Sequence, residues 1–217
     1  MSQKFGTRRE KNKAETRRII FDTAYQLLDE KGYEKMTMRE LAARAGVGLG
    51  TIFQHFKDKS TLLVSVFEHE FQPIVDQAFA SVPRGDLKTQ LSYLVRQFYS
   101  FYARRPQLSR ILIKELYIDP NNSSRISNSF LRDFAKLEAL FNDARERGEL
   151  DPNTNTSDAV LLWWSYYAFV LFQALQSPGF DVDEQIGLIE RLFDQHFRGI
   201  GSGNTQSRKT GEMKIED

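Results

Sequence analysis

Thr51, Gln54 and His55 fall within five residues of one another in the stretch Thr37–Lys59, TMRELAARAGVGLGTIFQHFKDK. A hydroxyl, an amide and an imidazole at such spacing are groups for recognition by hydrogen bonds. The residues around them say how they are held. Leu41, Ala42, Ala45, Val47, Ile52 and Phe56 are placed to pack two short helices together across a turn at Gly46, the layout of a helix-turn-helix. Ile52 and Phe56 are four apart and share the inward face of the second helix, which leaves Thr51, Gln54 and His55 on other faces, available to DNA. A major groove about 12 Å wide admits one such helix, braced by the first. Lys59 adds a separate signal. A cation in the first turn of a helix opposes the macrodipole by about 0.3–1 kcal/mol, and a phosphate docked at that end would remove the penalty.

The elements that must carry this unit read almost entirely as helix. Ala14–Lys31 has an apolar stripe of Ile19, Ile20, Ala24, Leu27 and Leu28, stopped by Gly32. Thr37-Met38-Arg39-Glu40 is a capping box opening Met38–Ala45, and Gly48–Phe56 is the second short helix. Asp58 caps a long helix to about Val82, with a break or kink predicted near Pro73. Helices follow over Asp86–Arg104, Pro106 to about Ile118, Ser124–Arg147, Ala159–Leu175 and Asp183–Phe197, with a turn at Asp119–Asn122. Residues 201–217 lack periodicity and are expected to form a disordered tail. Ala159–Leu175 is apolar on every side but is short for about 30 Å of hydrocarbon and contains Ser165 and Gln173, so it is read as core and subunit interface, with no membrane contact.

The total charge conceals an asymmetry. The 217 residues hold 30 Lys+Arg and 29 Asp+Glu, for a net charge of +1. Residues 1–60, however, hold thirteen cations against eight acids, +5, and the rest of the chain is at −4. Such a split points to an anionic partner for the basic end, the alternative being a solvated basic face. Cysteine is absent, which excludes a disulfide or a thiolate nucleophile. No Gly-x-Ser-x-Gly, P-loop or dinucleotide fingerprint appears, and Gly46-Val47-Gly48-Leu49-Gly50 has no strand before it. His55, His69 and His196 lack metal-ligand spacing. No catalytic residue, cofactor or metal is expected. Met1–Arg9 has no signal-like apolar stretch, and a cytoplasmic location is expected.

Residues 16–63 resemble the DNA-binding domain of the TetR (tetracycline repressor-like) family of bacterial transcriptional regulators. The likeness rests on Ile20-x3-Ala24-x2-Leu27-x4-Gly32-Tyr33, Thr37-x3-Leu41-Ala42-x2-Ala45-Gly46-Val47 and Gly50-Thr51-Ile52-Phe53-x-His55-Phe56-x2-Lys59-x2-Leu62-Leu63. It implies an all-α chain: a basic arm (1–13), a three-helix DNA-binding domain (14–57), a helical ligand-binding and dimerisation domain (58–200) and a tail (201–217). It also implies DNA roles. Thr37 caps and donates to a phosphate, Arg39 reaches backbone or a base edge, and Thr51 touches a phosphate or a thymine methyl. Gln54 reads a base through its amide, and His55 and Lys59 contact the backbone. Gly48, Leu49 and Phe53 stand in the DNA-facing segment where relatives often have a polar cap, a charged residue and a tyrosine. The implied partners are double-stranded operator DNA, a second copy in a homodimer and a small-molecule inducer, apolar or aromatic. Tyr99, Tyr102, Tyr117, Trp163 and Tyr167 are the pocket candidates, each a ring with a polar handle, plain core packing being the alternative. A constitutive DNA-binding protein of the same fold, without an inducer, is the competing reading.

Overall fold

A computed structural model describes residues 8–118 and 123–198, with side chains described throughout except at 9, 117–118, 123–131 and 197–198. The expected turn at 119–122 and tail at 201–217 lie outside these residues. Among the described residues there are nine helices and no strand: α1 (Arg8–Lys35), α2 (Met38–Arg44), α3 (Leu49–His55), α4 (Lys59–Ala80), α5 (Leu87–Ala103), α6 (Pro106–Ile118), α7 (Ser123–Glu146), α8 (Thr156–Gln176) and α9 (Val182–Arg198).

The N-terminal unit is built on α1. Ile20, Phe21, Ala24, Leu27 and Leu28 are buried on one face, as their spacing demands. Gly32 (φ 74°, ψ 169°) interrupts the helical path in a region open only to glycine, so the following residues turn toward α2. The helix begins at Arg8, so Lys11 and Lys13, expected in an extended arm, stand on α1 itself. Thr37 caps α2, its hydroxyl accepting from the Glu40 N–H at 3.2 Å. The reciprocal half of the predicted capping box is absent, because the Glu40 carboxylate pairs with Lys31 of α1. Gly46 (φ 67°) ends α2 in a Schellman pattern: Val47 N–H donates to Ala42 and Gly46 N–H to Ala43. No atom would meet a Cβ at Gly46, so the backbone angle, rather than space, requires the glycine.

Asp58 caps α4, accepting from the Thr61 N–H at 2.7 Å. α4 then runs unbroken through Pro73. The predicted interruption does not occur, since Leu62, Leu63 and Val66 before the proline and Val75 and Ala78 after it are all buried along the same helix. The body packs α5 between α4 and α9, and α8 between α7 and α9. Polar rungs tie α5 to α9: Lys88 to Asp194 at 2.7 Å, Ser92 to Glu190 at 2.7 Å and Arg96 to Asp183 at 2.6 Å.

α8 is two-faced. Val160, Trp163, Tyr167, Val170, Leu171 and Ala174 are buried, whereas Leu161 (48% exposed), Phe169 (57%) and Phe172 (37%) form a stripe facing out. By length and composition it is the one helix among the described residues that could cross a membrane, but its buried side belongs to the body's core.

Candidate nucleic-acid interface

α3 presents its faces as the spacing predicts. Ile52 and Phe56 are buried, while Phe53 (49% exposed) and Gln54 face outward and Thr51 and His55 are half-buried. Phe56 anchors the helix on α1: its ring lies 5.6 Å from Phe21, and the Arg17 guanidinium sits 5.0 Å from Phe21 and 5.4 Å from Phe56. Thr37 and Arg39, at the start of α2, are exposed. Gly48 caps α3 without a side chain to bond the first N–H groups. Leu49, expected on the DNA-facing list, is half-buried and packs against the core, an apolar side chain taking the apolar option.

The cations sort into spent and available. Arg18 bonds Glu15 at 2.7 Å and reaches Asp22, and Arg44 bonds Glu30 at 2.6 Å, pinning α2 to α1 together with Lys31 and Glu40. Lys59 stands where the macrodipole argument placed it, yet its Nζ is turned back to α1. It donates to the Glu34 carbonyl at 3.2 Å and lies 4.3 Å from the Tyr33 ring. A free carbonyl at the end of α1 is the partner that offsets a cation at the start of α4. Lys13 and Arg17 remain exposed, and both act on His55, which joins α1 to the recognition surface. The sequence places Lys13 in the arm and Arg17 in the first helix, whereas both stand on α1. Their i, i+4 spacing on a helix was the available signal.

Partial burial, then the charges of Lys13 and Arg17, lower the His55 pKa below its ordinary value of 6.5. The unfolded chain therefore takes up this proton first, and the stability His55 contributes, fully present above about pH 6.5, is lost as pH falls below that value. His55→Gln is expected to flatten the pH dependence of the urea midpoint between pH 7.5 and 5.5, and an unchanged slope would contradict the assignment.

The aromatic candidates of the body lie in the core. Tyr99, Tyr102, Trp163 and Tyr167 are all buried. Burial pushes the Tyr99 pKa up, and its neutral hydroxyl donates to the Tyr167 carbonyl at 2.6 Å. Tyr167 stacks on Trp163 at 5.6 Å, and Tyr102 lies against Phe67 and Phe71. Tyr117 belongs to α6, but its side chain is outside those described. A cavity with about 610 Å³ of atom-free space, mouth included, lies elsewhere, where α1, α4, α5 and α6 meet. None of the four described candidates, Tyr99, Tyr102, Trp163 and Tyr167, lines it. Rings with polar handles satisfy themselves inside a packed core as readily as in a pocket.

An all-helical body carrying a helix-turn-helix at its N-terminus is an architecture found among DNA-binding regulators, and the comparisons return such proteins. Residues 20–66 match the family described as bacterial regulatory proteins, tetR family. An HTH-type transcriptional regulator of Staphylococcus aureus (strain bovine RF122 / ET3-1) is 37% identical over 67 residues, 31% of this chain and 36% of that protein. A second, from strain USA300, is 40% identical over 60 residues, covering 28% and 32%. The chain thus spans about a third of the length of these relatives. Thermus thermophilus FadR, a TetR-family transcriptional repressor solved with lauroyl-CoA, superposes with a TM-score of 0.69 at 21% identity, covering 88% of this chain and 100% of that one. Bacillus subtilis FadR, solved with stearoyl-CoA, gives 0.65 at 19% identity, covering 81% and 96%. Residues 20–66 are a tetR-family domain, and the chain as a whole has the fold of TetR-family regulators.

Proposed function

We propose that this chain is a ligand-responsive transcriptional regulator, a repressor that binds a palindromic operator as a C2 homodimer and is released by a small apolar or aromatic molecule. The observation that carries the reading is α3, whose Phe53 and Gln54 face outward on a unit braced from behind by Phe56, with Lys13 and Arg17 of α1 acting on His55 and Arg39 exposed at the start of α2. The domain division follows the function: a DNA-binding unit through residue 57, then a regulatory body from residue 58. Ligand-bound neighbours of the same fold favour an apolar inducer over a constitutive binder. The regulator works in the cytoplasm and has no catalytic role.

The dimer uses α8 and α9 in a four-helix bundle. Leu161, Phe169 and Phe172 supply the apolar stripe that such an interface covers. Two recognition helices then lie about one DNA turn apart, ~34–36 Å. α4 starts at the DNA-binding unit and continues into the body, so a ligand that prefers a different α4 angle shifts the operator equilibrium by its differential affinity, about 1–3 kcal/mol.

Recovery of bound fragments from genomic DNA, followed by sequencing, is expected to yield one palindrome, and sequence-blind recovery would overturn the proposal. Gln54→Ala should relax specificity at one position by about 1–3 kcal/mol. Lys13→Ala, which removes an exposed cation of α1, should weaken all sequences alike and lower the salt slope by about 0.9. Filter binding at several salt concentrations separates the two effects, and an exchange of these outcomes would reassign both residues.

A further inference from the structure

The cavity at the junction of the two units has walls of Tyr25 and Leu28 from α1, Phe67 from α4, Phe101 from α5, and Leu108 and Leu112 from α6. Its polar groups are few. Arg104, Arg105 and Glu70 line it, along with Ser109, whose hydroxyl is already donated to the Tyr102 carbonyl at 2.9 Å. A second cleft adjoins it, sharing Leu28, Arg104, Arg105 and Leu108 and adding Asp29, Gly32 and Tyr33 of α1. Arg104 and Arg105 stand against Glu70 and Asp29, and the start of α6 at Pro106 adds the partial positive charge of a helix N-terminus. An apolar enclosure with convergent cations suits an apolar chain carrying an anionic head.

Arg105 already has a partner. Its Nε lies 3.2 Å from Asp29 Oδ1 of α1, and its guanidinium covers the Tyr25 ring at 4.1 Å. This is a charge contact between the body and the DNA-binding unit. We propose that the cleft binds a single apolar chain with an anionic head, and that the head draws Arg105 away from Asp29. Occupancy then does two things at once. The tail wedges α1 apart from α6, and the head removes the ion pair that holds them together. This deepens the regulator reading above and rests on it for its consequence, but the binding itself is measurable without DNA.

Isothermal titration of the full chain with decanoate, decanol, decylamine and decanoyl-CoA tests it. Decanoate, or decanoyl-CoA if the head belongs to a coenzyme, is expected to bind about tenfold tighter than decanol, the value of one charge-assisted hydrogen bond, and decylamine more weakly still. Arg105→Gln should bring the anion down to the level of decanol. Asp29→Asn, at an exposed position, removes the competitor and should tighten anion binding about two- to fivefold while leaving decanol unchanged. Leu108→Trp should block every probe, with melting curves checking that each variant folds. Equal affinities for decanoate and decanol, no effect of Asp29→Asn, or no binding of any probe would overturn the proposal. Each of these results would leave the operator experiment untouched, just as failure of that experiment would leave the titration standing.

Discussion

Phe169→Glu is expected to turn the proposed dimer into monomers and to abolish binding to the proposed two-half-site operator. Phe169 is 57% exposed on the protomer, with Leu161 about two turns before it and Phe172 about one turn after it on the same side of α8. Contiguous exposed apolar surface on a regular helix is a signature of an interface. A carboxylate brought into that interface without a partner costs about 3–5 kcal/mol, enough to raise a dimer dissociation constant about a hundredfold to a few thousandfold. The protomer should be little affected, since surface substitutions usually change stability by no more than about 0.5 kcal/mol. Sedimentation at micromolar concentration should show half the mass, with an unchanged helical circular dichroism spectrum. A variant that stays dimeric would move the interface off α8.

Phe56→Ala should have the largest effect within the DNA-binding unit, about 3–5 kcal/mol of stability. The ring is almost wholly buried, tilted against Phe21, and forms the last fixed point of α3 before the chain turns into α4. Its loss leaves a cavity beneath the recognition surface and lets α3 shift on α1. Urea denaturation should show the destabilisation, and operator affinity should fall even though Phe56 does not face outward. Gln54→Ala is the contrast, with operator affinity changed and stability unaltered. If Phe56→Ala lost less than about 1 kcal/mol, α3 would have to be held by other contacts.

Much of this architecture is written locally. Apolar positions at i, i+3 and i+4 mark α1, α5 and α7, and Thr37, Asp58 and Asp86 cap their helices through hydrogen bonds to the N–H three residues on. The inward pair Ile52 and Phe56 and the positive-φ glycines at 32, 46 and 148 follow from the same short-range rules. The ligand candidates were not legible in this way. Tyr99 and Trp163 have the right chemistry for a pocket, but whether a ring meets a ligand or another ring depends on helices that are distant in sequence. Tyr99 bonds the carbonyl of Tyr167 in α8 and so belongs to the core. Phe101, only two residues away, lines the cavity. Two residues on one helix point in different directions, and periodicity alone does not say which direction holds the space.

The division of charge shows the same limit. Sequence by itself determined an all-helical chain, a helix-turn-helix with its outward side chains, and a basic end joined to an acidic body. Those properties depend on neighbours within a few residues, where helical geometry is regular. Only the tertiary structure decided which cations are spent and which are available. Arg18 is taken by its own helix, Arg44 by α1, Lys59 by a carbonyl 25 residues back, and Arg105 by Asp29 across the junction of the two units. Lys13 and Arg17 stay exposed beside His55. An ion pair forms wherever packing brings opposite charges within reach, and packing is a property of the whole chain.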